Sequence, residues 1–307
     1  VRLVLRKRDR KSAKGNIMAH LTQRRFENVD GNFYVDSTCI DCDTCRWMAP
    51  EVFKSVGEQS AVYHQPVNET EQLRAMQALL SCPTASIGTT EKPKDIKKVQ
   101  QSFPIVIEEN VYHCGYHSED SYGAASYLIV RSQGNILVDS PRYAPPLVKR
   151  LEEMGGVRYL YLTHRDDVAD HRKFREHFKC DRILHGDDIT SDTRDVEIQL
   201  SGTEPIQFAP DVLIIPVPGH SKGHTVLLYR QKFLLTGDHL AWSSALNHLY
   251  AFRLYSWYSW SEQVKSMRKL TNYPFEWVLP GHGRRYHADS ETMRQQMQQC
   301  LAWMESF

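Results

Sequence analysis

Residues 159–171 read Tyr-Leu-Tyr-Leu-Thr-His-Arg-Asp-Asp-Val-Ala-Asp-His. The first five are apolar or β-favouring and predict a strand, and metal-binding residue types follow its end directly. The arrangement recurs. Asp139 closes a predicted strand over 135–139, and His220 follows one over 212–217, in Pro-Gly-His-Ser-Lys-Gly-His224. Asp238 follows 233–236 in Thr-Gly-Asp-His239, and His282 follows 276–279 in Leu-Pro-Gly-His-Gly283. A lone His on a loop says little. Five such groups at five strand ends predict that one rim of the sheets gathers them, because rigid strands fix where the loops start.

Working outward, further strands are predicted at 105–111, 125–130, 182–185 and 225–229, and amphipathic helices at 146–154, 169–178, 261–270 and 290–304. Short apolar strands alternating with helices give an α/β domain whose sheets are covered by helices.

In this order of motifs, residues 104–307 resemble the metallo-β-lactamase superfamily. The resemblance implies an αββα sandwich with the site at one edge between the sheets. Carried over residue by residue, it implies His164, Asp170, His171, His220, Asp238 and His282 as metal ligands, Asp238 bridging two ions, and Asp139 as the acid that holds the ligand loops. The ligand loop departs from the family. Where the family has H-x-H-x-D-H, this chain lacks the second His and carries two extra residues before Asp170-His171. Asp166 or Asp167 then either replaces the missing imidazole or is a solvated loop acid. A carboxylate is the harder ligand and shifts preference from zinc toward iron or manganese. The flavodiiron branch has H-x-E here, similar to His164-x-Asp166, but this chain shows no flavodoxin-like domain.

The second pattern is Cys39-Ile-Asp-Cys42-Asp-Thr-Cys45, with Cys82-Pro83 following later. Two x2 spacings let three thiolates on one loop wrap a cubane corner while a remote thiolate closes it. The residue that would ligate a second cluster is Ala49, so one [4Fe–4S] cluster is expected. A zinc knuckle is the alternative, but zinc ribbons present two separate C-x2-C pairs. Residues 29–90 resemble single-cluster bacterial-type ferredoxins, through these cysteines, Ala49-Pro50-Glu-Val-Phe53 and Cys82-Pro83-Thr-Ala85. The resemblance implies a one-electron carrier. Cys114, Cys180 and Cys300 lack partners at ligand spacing and are expected to be buried small hydrophobes.

At 307 residues and 41% hydrophobic, the chain has room for one large and one small domain. No apolar run is long enough for a membrane helix. Free thiolates in a metal pattern argue for a reducing compartment, so a cytoplasmic location is expected. Residues 1–25 hold nine Lys/Arg against Asp9 alone, leaving the rest of the chain at 29 basic to 36 acidic residues. That stretch is read as a basic, disordered leader; residues 1–17 as a targeting remnant would place the protein in a plastid or other organelle. The expected plan is a leader at 1–25, a ferredoxin-like α+β domain at 26–90, a linker at 91–103 and the sandwich at 104–307. In the small domain a helix at 69–80 should bury Leu73, Met76, Leu79 and Leu80.

The expected cofactors are one [4Fe–4S] cluster and one or two zinc or iron ions. A metal pair would lie roughly 3.5–4 Å apart and activate water against a small-molecule ester or thioester. Asp170 is the candidate to take a proton as the intermediate collapses. Hydrolysis is the leading reading. The alternatives are redox chemistry at a di-iron site fed by the cluster, with an electron donor or acceptor protein as partner, and a non-catalytic carrier or sensor with a degenerate site. Neither nucleic acid nor membrane is expected as a partner. Residues 250–260 are ring-rich and form either a substrate wall or a packed helix face. Arg253, Arg284 and Arg285 would meet an anionic substrate or are ordinary surface charges, and His224 and His239 are read as supporting or surface residues.

Overall fold

The computed structural model describes residues 19–307. Most of the expected leader, residues 1–18, lies outside that range. The remainder of it is built into the small unit. The Arg25 amide donates to the Val35 carbonyl at 3.0 Å, the Arg25 guanidinium to the Ser60 carbonyl at 2.6 Å, and the Tyr34 hydroxyl to the Ala19 carbonyl at 2.9 Å.

In the small unit, strand Phe33–Val35 pairs antiparallel with Ile87–Thr89, and Phe53–Val56 forms a hairpin with Gln59–Val62. Helix Glu69–Ser81 starts in a capping box: the Asn68 side chain accepts from the Glu71 amide at 2.9 Å and donates back to the Glu71 carboxylate at 2.7 Å. Its buried face is Ala75, Met76 and Ala78, with the expected Leu79 and Leu80 partly buried against the same core and only the expected Leu73 exposed. Small residues let this helix lie close to the short helix Thr44–Met48, which rotates the buried face.

The large unit is a sandwich of two sheets. A seven-stranded sheet runs in the spatial order Ile198–Leu200, Asp181–His185, Tyr159–Tyr161, Ile136–Val138, Tyr127–Ile129, Val111–His113, Ile105–Glu108. A six-stranded sheet runs Ile206–Ala209, Val212–Pro216, Thr225–Tyr229, Phe233–Gly237, Trp277–Pro280, Tyr286–His287. The single strand expected over 105–111 is two, since Glu109 takes a left-handed conformation and turns the chain back.

Between the sheets, Tyr127, Ile129 and Tyr161 meet Leu227, Tyr229 and Leu235 in one core. The alternate residues face outward: Val226 and Leu228 pack under helices Trp260–Leu270 and Ser290–Glu305. Leu128 and Leu160 pack under Pro145–Glu153, His171–Phe178 and the small unit. Burial on both faces explains why these strands read as continuous apolar runs.

The expected linker is not a spacer. It contains helix Ile96–Gln101, and Val99 and Phe103 are buried in a core shared by both units. Arg142 donates to the Leu80 carbonyl at 3.0 Å and Arg150 to that of Phe103 at 3.1 Å. The small unit is thus fused to one outer face of the sandwich.

Candidate functional site

The thiols of Cys39, Cys42, Cys45 and Cys82 line one cavity. Asp41 and Asp43 take left-handed φ values of 61° and 63°, a conformation costly outside glycine, and Arg46 pairs with both carboxylates to hold it. The Ser86 amide donates to the Cys82 sulfur at 3.3 Å, and that of Ser60 points at the Cys39 sulfur at 3.5 Å. Burial pushes the Cys42 thiol up to about 12, with nearby Cys82 and Cys39 adding to it, and raises Cys45 and Cys82 as well. Such thiols ionise together only when a cation compensates them, which is what an iron cluster supplies.

The second group gathers at the C-terminal ends of sandwich strands. His164 and His220 project from loops after Tyr159–Tyr161 and Val212–Pro216, Asp238 follows Phe233–Gly237 directly, and His282 follows Trp277–Pro280. Asp166 Oδ2 lies 3.5 Å from His220 Nε2 and 3.9 Å from His164 Nε2; Asp238 Oδ2 lies 3.8 and 3.9 Å from the same two nitrogens. His282 Nδ1 is 2.8 Å from Asp238 Oδ1. Asp167 joins them, its ligand oxygen grouped with His164 and Asp238. A Cβ on Gly281 would sit 2.8 Å from Asp167 and 3.0 Å from Asp238, so only glycine admits the two carboxylates there.

The donor set fits metal ions. Nε2 of His164, both nitrogens of His220, Nε2 of His282 and Oδ2 of Asp167 are buried without hydrogen-bond partners among the described residues. The orphaned Nε2 atoms of His164 and His220 and the Asp167 carboxylate surround Asp238, an arrangement a cation would satisfy, while His282 turns Nδ1 to that carboxylate. Burial raises Asp167 well above the usual carboxylate range, with the Asp238 charge adding to it, and burial lowers His164 to about 4. For His282 burial works against protonation, but the Asp238 carboxylate overcomes it and raises the imidazole to about 10.

Supporting contacts set the ligand tautomer. The Thr163 amide donates to Asp139 at 2.8 Å, and the Thr163 hydroxyl lies 3.0 Å from both Asp139 oxygens and from His164 Nδ1. A hydroxyl has one proton; with that given to Asp139, His164 Nδ1 must donate, leaving Nε2 free as a ligand. Burial pushes Asp139 up to about 7 against the Thr163 bonds, with Asp238 adding to the rise. His224 is buried, stacks on His164 at 4.8 Å and accepts from the Asp238 amide at 3.2 Å.

Two expected ligands lie elsewhere. Asp170 precedes helix His171–Phe178, accepts from the Tyr143 amide at 2.7 Å and pairs with Lys173 at 2.6 Å. His171 Nδ1 faces the Arg182 guanidinium at 3.1 Å, which uses its lone pair. Neither is among the grouped ligand atoms, so the structure brings no contact that supports the ligand roles expected of Asp170 and His171 or the proton-transfer role expected of Asp170. The carboxylates grouped with His164 are instead those of Asp166, Asp167 and Asp238.

Comparison with known proteins separates the halves. Residues 35–89 match the 4Fe-4S single cluster domain of ferredoxin I. The chain is similar to the solved structures of VMB-1 at pH 5.5 (17% identity, TM-score 0.51) and of DIM-1 metallo-β-lactamase exposed to ceftazidime (14%, 0.52), each covering 66% of this chain and 95% of the other. It is also similar to a metallo-β-lactamase from Hirschia baltica at 15% identity and TM-score 0.50, covering 65% of this chain and 95% of that one. The chain joins a single-cluster ferredoxin domain to a metallo-β-lactamase fold. No curated protein matches the chain.

Sequence reasoning missed two features. Asp188 accepts from Ser221 Oγ at 2.5 Å, the Gly223 amide at 2.7 Å and the Arg165 amide at 3.1 Å, tying the His164 and His220 loops together. A Cβ on Gly223 would lie 2.7 Å from the Asp188 amide, so Gly223 in the His-Ser-Lys-Gly-His run was the available clue. The other feature is the segment between strands Val111–His113 and Tyr127–Ile129. Its Tyr122 hydroxyl donates to the Ile40 carbonyl at 2.6 Å, and a Cβ on its Gly123 would sit 3.1 Å from the Cys42 sulfur. The Ala125 amide donates to the Gly281 carbonyl at 2.7 Å, and the Tyr122 ring lies 6.3 Å from that of His282. One segment of the metallo-β-lactamase fold therefore touches both centres.

Proposed function

We propose that this chain is an iron–sulfur metalloenzyme whose sandwich domain hydrolyses a small-molecule ester, thioester or phosphodiester. The reading is carried by the buried, partnerless His164 Nε2, His220 Nε2 and Asp167 Oδ2 converging on Asp238. His164, His220 and Asp166 would hold one ion, and His282 and Asp167 a second, with Asp238 between them. Metal bound there supplies an activated water and polarises the scissile group. Asp139 and Thr163 keep His164 Nε2 aimed inward, and Asp188 keeps the His164 and His220 loops in register.

The substrate's apolar part would rest on the ring-rich stretch beside His220. Leu254, Tyr255, Trp257 and Tyr258 are exposed there, and the Tyr258 amide lies 3.2 Å from the His220 carbonyl. Arg253 does not join this shelf, because its guanidinium stacks 4.2 Å over Phe307.

The segment through Tyr122 and Gly123 favours a second reading, an oxidoreductase in which the cluster exchanges one electron with iron held at Asp238. The carboxylate-rich donor set suits iron. Metal analysis with EPR on anaerobically purified full-length chain separates the two. Zinc beside the cluster iron, with esterase, thioesterase or phosphodiesterase turnover, supports hydrolysis. Iron in excess of the cluster's own, reduced or reoxidised together with it, supports the second reading. Absence of metal beyond the cluster would overturn both. No helix of the described residues is long and apolar enough to cross a membrane, and a cytoplasmic location with an electron-carrier protein as partner remains part of this proposal.

A further inference from the structure

A cleft of about 410 Å³ opens where the ferredoxin domain meets the sandwich, lined by Trp47, Pro50, Val106, Ile107, Trp277, Arg284 and Arg285. It contains none of the metal-site residues. Trp47 belongs to the cluster helix Thr44–Met48, and Arg284 lies two residues beyond His282, so the cleft is walled by extensions of both centres.

One of its two cations has no ionic partner among the described residues. The Arg285 guanidinium lies 4.4 Å over the Trp47 ring, with no salt bridge or hydrogen bond to it among the described residues. The groups close enough to act on it are neutral: His113 and His117, which burial keeps unprotonated, and the Tyr127 phenol. Arg284 contributes a second cation, whose closest approach to Asp43 is Nε at 3.5 Å, with no hydrogen bond from its guanidinium among the described residues. Arg285 is half-buried and its guanidinium keeps its proton, so unpaired donors of both arginines line one cleft, and an anion seated there would take charge-assisted, forked hydrogen bonds from them. The rest of the lining is apolar, and Val106 is 58% exposed toward solvent. The volume falls within the range of small-molecule sites.

We propose that this cleft binds a small organic anion, its carboxylate or phosphate held by Arg285 and Arg284 and its apolar body lying between Trp47, Val106 and Trp277. The site is independent of the hydrolytic reading and of which metal Asp238 holds. Ligand bound there would touch the cluster helix and the strand turn that carries His282.

The test is calorimetric titration of anaerobic, cluster-loaded full-length chain with phenyl phosphate, benzoate and inorganic phosphate. Saturable one-to-one binding of phenyl phosphate or benzoate, tighter than inorganic phosphate, is expected, and the stronger of the two identifies the head group. Arg285→Gln should weaken it by about tenfold or more and Arg285→Lys by less, since a lysine keeps the charge but not the forked donors. Asp238→Ala should leave the affinity within about twofold. No saturable heat, unchanged affinity in Arg285→Gln, or loss of binding in Asp238→Ala with Arg285→Gln unaffected would each overturn the proposal; the last would place the anion on the metals. Should Arg285→Gln lose its cluster absorbance, Arg284→Gln and Trp277→Leu report instead, with a loss of about threefold expected from each and unchanged affinity in both overturning it.

Discussion

The ferredoxin domain takes three of its four thiols from seven consecutive residues, Cys39 to Cys45, whereas the sandwich collects its ligands from loops spread between His164 and His282. In the first case local backbone geometry builds the site: two left-handed aspartates, locked by Arg46, turn the loop around the cluster position. In the second, no loop determines the site, and its ligands meet only because parallel strands end at one rim. A contiguous motif therefore predicts its own geometry. A dispersed one predicts only which loops take part, and tertiary contacts choose the residue within each loop.

The largest expected effects probe whether the two sites are separable. Cys45→Ser removes a buried thiol that no neighbour can replace, so iron and acid-labile sulfide should fall to background. Metal at the sandwich site should remain within about twofold. Its loss in parallel would show that the segment through Tyr122 and Gly123 makes the two regions one unit.

The choice made inside the 164–171 loop can be broken directly. Asp238→Ala should lower sandwich metal affinity by about a hundredfold or more, since both proposed ions share that carboxylate, and Asp167→Ala by about tenfold. Asp170→Ala should leave metal affinity unchanged and cost about 1 kcal/mol of stability through the lost bond to the Tyr143 amide. Equilibrium metal titration and urea unfolding on the same variants read both. A metal defect in Asp170→Ala with none in Asp167→Ala would restore the assignment taken from family spacing.

Legibility in the sequence follows the same division. The α/β class could be read because strands buried on both faces are continuously apolar and the helices between them are amphipathic, while the αββα arrangement came from the resemblance carried by the order of motifs. The structure brings together the strand-end His164, His220, Asp238 and His282. Inside the ligand loop, the two extra residues allow either Asp166 and Asp167 or Asp170 and His171 to face inward. What decides is remote: Arg182, on the strand beneath, occupies His171, and Tyr143, from another loop, occupies Asp170. Asp188 was hidden for the same reason, since its partners lie 23 to 35 residues away. The linker misled because Glu91 to Lys98 is polar in composition, while the residues that dock it, Val99 and Phe103, come just after the charged run.

A smaller effect is expected one layer out from the dispersed ligands. Asp139→Asn keeps the shape but puts an N–H donor where Oδ2 accepted from the Thr163 hydroxyl, so that hydroxyl, now accepting from the amide, is freed to donate to His164 Nδ1 and favour the other tautomer. Sandwich metal affinity should fall by about ten- to a hundredfold with the cluster content unchanged. If affinity holds, His164 is oriented by its stack on His224 rather than through Thr163.

The smallest effect concerns the scaffold that removes His171 from the site. Arg182 is clamped by Glu197 at 3.0 Å, and Arg175 binds the same carboxylate at 2.7 Å. Burial alone would raise Glu197, but hydrogen bonds from Arg182 and Arg175 outweigh it and hold the carboxyl near 2. A carboxyl depressed in the folded state stabilises the fold above its unfolded pKa of about 4.3, and that contribution is lost as pH falls through the folded value. The pair is partly solvated, so Glu197→Gln should cost only about 1 kcal/mol at pH 7. Urea midpoints of the two chains should differ constantly from about pH 5 to 8 and converge in acid; acid loss of the cluster affects both alike, and their difference isolates Glu197. Rescue of metal binding in Asp167→Ala by Glu197→Gln would mean that freeing Arg182 returns His171 to the rim, and that the contacts behind the loop, rather than its spacing, select its ligands.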